Sequence, residues 1–289
     1  MLISPARFGL VALVFAPLLA GSLIHRIKIG NPRDLSDYAH WPIESVSFQT
    51  ADGLTLSGWF LPDRDADSTV VICHGAGANK GNFIDFLGLF YATGHNALIF
   101  DFRGHGDSDG HTSTFGLLET ADVRAAVDWL KKNRPAESRH VYGLGSSMGA
   151  MALVRTAAAD PRIEAVILDS AFLSAPKLAE QHVGRLPVLG PVFANTMLAS
   201  LSLHAGASFW KLDAGEDLAR LSPRPLLLIH GVDDVLIPPA NLDLLFAAAR
   251  EPKEKWLGPG PHSNIMTTDF EGYRERVLSF LKRARSAPP

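Results

Sequence analysis

A single cysteine, Cys73, occurs in the 289 residues, so no internal disulfide can form. It sits in the apolar run TVVIC, residues 69–73, where a buried structural thiol is expected. Excess charge is also missing. The net charge is -3 and charged residues make up 20% of the chain, which excludes the basic footprint of a nucleic-acid partner. There is no H-E-x-x-H, no zinc-spaced Cys/His set and no phosphate loop, so neither a metal nor a cofactor is expected. No internal repeat divides the chain, and its length suits one large α/β domain.

A long uncharged run is present at the start. Residues 8–24 carry no charge; Arg7 precedes them, and Arg26, Lys28 and Arg33 follow. Seventeen helical residues would reach roughly 25 Å, the low edge for crossing a bilayer. Residues 1–30 therefore read as an uncleaved membrane anchor, long for a secretory signal, ahead of a body at 31–289. The positive charge after the run places that body on the cytoplasmic side. Export after cleavage is the alternative, with Ala20-Gly21-Ser22 as the cleavage site.

Residues 43–61 read as a hairpin: Val46 and Phe48 alternate with polar neighbours, Asp52-Gly53 turns the chain, and Leu54, Leu56 and Phe60 resume the alternation. Short apolar runs then recur: TVVIC, NALIF (96–100), HVYGL (140–144), AVILD (165–169) and PLLLI (225–229). Such runs fit parallel strands covered on both faces. Helical spacing fills the gaps, most clearly over 117–133. The pattern predicts a mostly parallel α/β sheet of about eight strands, with antiparallel strands at one edge and helices on both faces. From 171 to 222 no strand is expected. The uncharged stretch 186–203 is long enough for a second span, but Pro187, Gly190 and Pro191 interrupt it and it lies between core strands, so a helical excursion over one end of the sheet is expected. The tail 283–289 reads as frayed.

The stretch GLGSSMGA, 143–150, ends the strand HVYGL and precedes a small-residue helical stretch at 150–159. Only Ser147 has glycines two places before and after it, Gly145 and Gly149. A serine on a tight strand-to-helix turn crowds those two neighbours together, so Ser147 is the candidate nucleophile and Ser146 a small residue filling the turn. A serine needs a base, an acid behind the base, and N–H donors for the developing oxyanion. His262, in the loop GPGPHSN, follows the last strand signal and is the candidate base. Candidate acids are Asp233 and Asp234 after PLLLI, with Asp169 at the end of AVILD as a further alternative. Met148 and Ala76 are the candidate oxyanion donors, Ala76 lying in the turn His74–Asn79 after TVVIC. His74 reads as turn-stabilising, and His105 and His111 as structural or exposed. DFRGHGDSDG, 101–110, reads as an ordered loop at the site rim, its Arg103, Asp107 and Asp109 being the alternative grounds for a metal or phosphate site.

HGAGAN at 74–79, DFRGHGDSDG, GSSMG at 145–149, HGVDD at 230–234 and the lone His262, in that order, resemble the α/β-hydrolase superfamily over about residues 43–285. The branch it resembles is serine aminopeptidase-like, or BEM46-like, including membrane-anchored bacterial members. The resemblance implies Ser147 as nucleophile, Asp234 rather than Asp233 as acid, His262 as base, and Ala76 and Met148 as oxyanion donors. It also implies that 171–222 is a short lid. One departure is that Gly-Pro precedes the histidine. The expected activity is a cofactor-free serine hydrolase for small-molecule esters or thioesters, with an apolar acyl group favoured by lid residues Leu186, Val188, Leu189, Val192, Phe193 and Leu203. An aminopeptidase would need a pocket carboxylate for the free amine, with Glu180, Asp213, Glu216 and Asp217 as candidates. A non-catalytic binding protein on this fold is the third reading.

Overall fold

The computed structural model describes residues 21, 23–25, 28–30, 35–183 and 189–286. The apolar runs form the middle of a sheet because every residue in them is covered. β3 (Ser68–Cys73), β4 (Asn96–Phe100) and β7 (Leu226–Gly231) have no exposed residue. Alternation assigns their side chains to opposite faces: Val71, Cys73, Leu98 and Phe100 enter one core, and Val70, Ile72, Ala97 and Ile99 the other. Each Val, Leu, Ile or Phe side chain among them contributes about 1.5–3 kcal/mol by leaving water.

With β1 (Glu44–Gln49), β2 (Thr55–Leu61), β5 (His140–Ser146), β6 (Ile163–Asp169) and β8 (Lys253–Gly258), the described residues form one eight-stranded sheet. Its order is β1-β2-β4-β3-β5-β6-β7-β8. Only the β1–β2 and β2–β4 pairings are antiparallel. The first core is roofed by α2 (Thr120–Asn133), α3 (Met148–Ala159), α6 (Gly215–Leu221) and α7 (Ala240–Ala248). The second is roofed by α1 (Ile84–Phe90), α8 (Ile265–Thr268) and α9 (Phe270–Ser286). Parallel register brings strand ends level: Cys73 pairs with Gly145, Ser146 with Asp169, Asp169 with Ile229, and Gly231 with Gly258. That edge carries the candidate site residues.

Three sequence expectations need correction. The helix expected from 117 starts at Thr120. The buried Glu119 carboxylate accepts the N–H groups of Thr114 and Gly116 and the Thr114 hydroxyl, which folds 114–119 into a turn. The tail does not fray at 283, because α9 runs to Ser286 with Arg283 paired to Glu254 at 2.8 Å and Arg285 to Asp67 at 2.5 Å. Between β6 and β7 lie α4 (Ala175–Val183) and α5 (Leu189–Ala205). Ala194, Leu198 and Leu201 of α5 are buried, whereas Val192 and Leu203 are 51% and 81% exposed. Those two therefore face solvent. Leu186, Val188 and the Leu189 side chain lie outside the described residues. Among the described residues no helix is long and apolar enough to cross a membrane. The run at 8–20 lies outside them.

The last residue of the uncharged run 8–24 and residues 28–30 after it dock on the body. Ile24 is fully buried among residues of the first core. Its carbonyl accepts the Ser113 N–H at 2.8 Å, and Lys28 Nζ donates to the Ser108 carbonyl. Asn79 Nδ2 donates to the carbonyls of Ile29 and Gly30, each at 3.3 Å. A chain starting at residue 31 is expected to lose about 3 kcal/mol of burial and hydrogen bonding, lowering Tm by roughly 6–12 °C relative to one starting at 21. Equal melting temperatures of the two would show that this docking contributes nothing.

Candidate active site

β5 ends at Ser146 and α3 begins at Met148, so Ser147 alone turns the chain. Its φ of 53° and ψ of -117° lie in a region that costs a non-glycine residue about 1–3 kcal/mol. The tight turn explains the flanking glycines. A Cβ on Gly145 would lie 2.6 Å from the Gly149 carbonyl oxygen, and one on Gly149 would lie 2.2 Å from that of Cys73. Cys73 is buried and burial pushes its thiol well up, so it stays an inert thiol.

His262 reaches Ser147 from the loop after β8. Its Nε2 is 2.9 Å from Ser147 Oγ and its Nδ1 is 2.7 Å from Asp234 Oδ2. The Gly-Pro before it leaves this geometry intact. Asp234 has a fully buried side chain on the turn after β7. Its Oδ1 accepts the N–H groups of Leu236 at 3.0 Å and Ile237 at 2.8 Å, and His230 Nε2 lies 3.4 Å from Oδ2. Burial raises the Asp234 carboxyl, but hydrogen bonds from His230, His262 and Ile237 outweigh it and hold it well below the usual carboxylate range. An ionised Asp234 keeps the imidazole proton on Nδ1 and leaves Nε2 free to accept from Ser147. Asp233 is exposed on the same turn. Asp169 is buried and bonds Ser170 and Tyr273 instead.

The two candidate oxyanion donors flank Ser147. Met148 is the first residue of α3, where an N–H has no helical partner. Ala76 sits in a turn packed on the nucleophile, since a Cβ on the preceding Gly75 would stand 3.4 Å from Ser147 Cβ. Two imidazoles grip this turn. Burial, with His105 alongside, lowers His74 to about 3, so the ring is neutral. Its Nε2 accepts the Phe102 N–H at 3.1 Å, so its Nδ1 donates to the Gly75 carbonyl at 2.8 Å. His105 Nε2 accepts the Gly77 N–H at 3.3 Å. The peptide units on both sides of Ala76 are thereby fixed. The sequence carries no separate signal for His105, because the clamp depends on β3 and β4 being neighbours.

The 101–110 loop is ordered by pairing with residues around it. Asp101 accepts from Lys80 N and Nζ at 2.6 and 2.5 Å, and Asp107 reaches the same Nζ at 2.5 Å. Arg103 pairs with Asp122 at 2.7 Å and Asp52 at 2.8 Å. Asp109 accepts the Thr55 N–H, and His111 is exposed. Among the described residues no group of His, Cys, Asp or Glu could hold a metal ion. The acids considered for amine binding are already engaged. Glu180 pairs with Lys177, Glu216 with Arg220, and Asp217 with Arg155 and Arg220, while Asp213 accepts the Gly215 N–H.

Comparison with known proteins agrees with this architecture. A family model described as serine aminopeptidase, S33, matches residues 64–211. The uncharacterized protein YfhR of Escherichia coli K12 is 31% identical over 254 residues, covering 84% of this chain and 82% of YfhR. Protein bem46 of Schizosaccharomyces pombe is 24% identical over 243 residues, covering 82% of this chain and 76% of bem46. The solved Pyrococcus furiosus esterase Pf2001 has a TM-score of 0.74 and 26% identity, with 90% of this chain and 98% of the esterase covered.

Proposed function

The chain belongs to the serine aminopeptidase S33 family of α/β hydrolases, in its BEM46-like branch, and from that premise we propose that it hydrolyses carboxylic esters or thioesters of apolar acyl groups through an acyl-enzyme on Ser147. The observation that carries this reading is the unbroken contact from Asp234 to His262 to Ser147, with the serine raised on a strained turn.

In the proposed mechanism Ser147 Oγ attacks the acyl carbon while its proton passes to His262 Nε2. The carbonyl oxygen gains the charge and is met by the N–H groups of Ala76 and Met148. Collapse expels the leaving group, which takes the proton from His262. Water then attacks the acyl-enzyme, giving its proton to His262, which returns it to Ser147 Oγ as the acyl C–Oγ bond breaks and the carboxylic acid leaves. Asp234 holds the imidazole in the required tautomer and offsets its charge when protonated.

Ester cleavage is favoured over aminopeptidase action because each acid candidate for an amine site is spent on a cation or a turn. The apolar preference rests on Val232, Val235 and Leu236, exposed on the turn that carries Asp234. The test is fluorophosphonate labelling with peptide mapping, beside p-nitrophenyl esters from acetate to laurate and aminoacyl p-nitroanilides. The label is expected on the peptide containing Ser147, with ester rates rising beyond acetate and anilides left uncut. A label elsewhere sinks the nucleophile. A flat chain-length profile sinks the apolar acyl group, and faster anilide cleavage sinks the ester reading.

A further inference from the structure

Three serines at the site edge have left-handed backbone: Ser147 (φ 53°), Ser170 (φ 54°) and Ser263 (φ 53°). They follow β5, β6 and β8 respectively. A conformation of this kind persists in a non-glycine residue only where its surroundings fix it. One chain of hydrogen bonds, buried at Asp169 and Ser170 and half-buried at Ser147 and Ser263, joins all three. The Ser147 N–H donates to the Asp169 carbonyl at 2.9 Å. The fully buried Asp169 carboxylate accepts the Ser170 hydroxyl at 2.9 Å and the Tyr273 hydroxyl at 3.1 Å. Ser170 Oγ in turn accepts the Ser263 N–H at 3.0 Å, and Ser146 Oγ donates to Ser263 Oγ at 2.8 Å. The Ser170 N–H donates to the Ile229 carbonyl at 2.9 Å, tying it to the strand that leads to Asp234.

Ser263 is the next residue after His262. The imidazole stands on a loop between Gly258, where β8 ends, and Ile265, where α8 begins. The Asp233 N–H pins that loop at the Gly260 carbonyl, 3.1 Å away, and the Asn264 N–H closes it on the Pro261 carbonyl at 3.2 Å; what remains to be set is the placement of His262 itself, where a shift of about 1 Å costs on the order of a hundredfold in rate. We propose that Asp169, acting through Ser170 and Ser263, is a positioning residue that sets the distance between the base His262 and the nucleophile Ser147. Asp169 suits the task because it serves both partners at once. Its carbonyl fixes the Ser147 turn, and its carboxylate, through one hydroxyl, fixes the residue beside His262. Tyr273 of α9 occupies the second carboxylate oxygen and keeps the first one aimed at Ser170. Ser146 adds a second hold on Ser263, which gives the serine next to the nucleophile a task of its own.

The proposal rests on Ser147 and His262 being nucleophile and base, and its test keeps the two claims apart. Wild type, Ser147→Ala, Ser170→Ala, Ser170→Gly and Asp169→Asn are compared on p-nitrophenyl butyrate, with Tm and the rate of fluorophosphonate labelling measured for each. Ser170→Ala is expected to lower kcat about 10–100-fold and labelling by a similar factor, with KM within about twofold and Tm lowered by several degrees, because the buried Asp169 carboxylate and the Ser263 N–H each lose a partner. Ser170→Gly relaxes the backbone but supplies no hydroxyl, so it is expected to stay as slow as the alanine variant. Asp169→Asn is expected to fall in the same range. Full activity in Ser170→Gly would assign the loss to backbone strain and overturn the proposal. So would Ser170→Ala and Asp169→Asn variants that melt lower yet retain wild-type kcat and labelling. If Ser147→Ala is as active as wild type, the nucleophile itself has been misassigned; a Ser147-dependent enzyme indifferent to Ser170→Ala sinks the positioning role alone.

Discussion

Ser147→Ala is expected to lower kcat for p-nitrophenyl ester hydrolysis by about 10⁴–10⁶-fold while KM and Tm stay close to wild type. Alanine keeps the Cβ and the left-handed backbone at this turn, so the substitution adds no new strain. It removes only Oγ and its contact with His262 Nε2. The proposed donors at Ala76 and Met148 and the His262–Asp234 pair remain, which is why a small residue of catalysis over water is expected to survive. Ser147→Gly is the poorer variant, because it also releases the backbone strain. A kcat in Ser147→Ala within tenfold of wild type, on protein free of contaminating esterase, would place the nucleophile elsewhere.

Asp234→Asn is expected to cost about 10⁴-fold in kcat with the fold retained. Asparagine matches the shape and its oxygen still accepts from the Leu236 and Ile237 N–H groups. Its amide nitrogen, however, donates toward His262 Nδ1, which leaves the ring proton on Nε2 facing Ser147 Oγ. A ring in that tautomer cannot accept the serine proton. A loss of less than about tenfold would mean that another group orients the imidazole. The same variant carries a pH signature. The Asp234 carboxyl lies below its unfolded value of about 3.9, so its stabilisation is full above that pH and is lost as pH falls toward the folded value. The Tm difference between wild type and Asp234→Asn is therefore expected to shrink as pH is lowered from about 4.

Ser147 and His262 were legible in the sequence as candidates because each is announced locally, by a glycine spacing or a lone histidine in a turn-rich loop; the strand end offered Asp233 and Asp234 alike, and only the family resemblance singled out Asp234. The strands were legible for the same reason, since a strand buried on both faces is apolar throughout. The chain Asp169–Ser170–Ser263 was not. Its members are 93 residues apart at the Ser170–Ser263 contact, and only the lateral order β5-β6-β7-β8 makes them neighbours. Nor was the start of α2 legible, because Glu119 reads as a helix residue until its carboxylate is seen holding three donors at once. The docking of residues 24–30 escaped for a simpler reason. Hydropathy marks where an apolar run ends, and it does not say that Ile24 is spent on the hydrolase core.

That last contact decides how far Ile24 can move relative to the catalytic turn. A flexible linker of n residues lets a tethered domain sample a radius of about 5–6 Å × √n. Here Ile24 and Lys28 are bonded to the loop at 108–113, and Ile29 and Gly30 to Asn79, so among the described residues no such linker separates Ile24 from the sheet. The fold itself therefore sets the distance and heading of Ser147 relative to Ile24. Ser147 then works as a gauge set at one distance from that docking point, and reach has to be supplied by diffusion of the substrate.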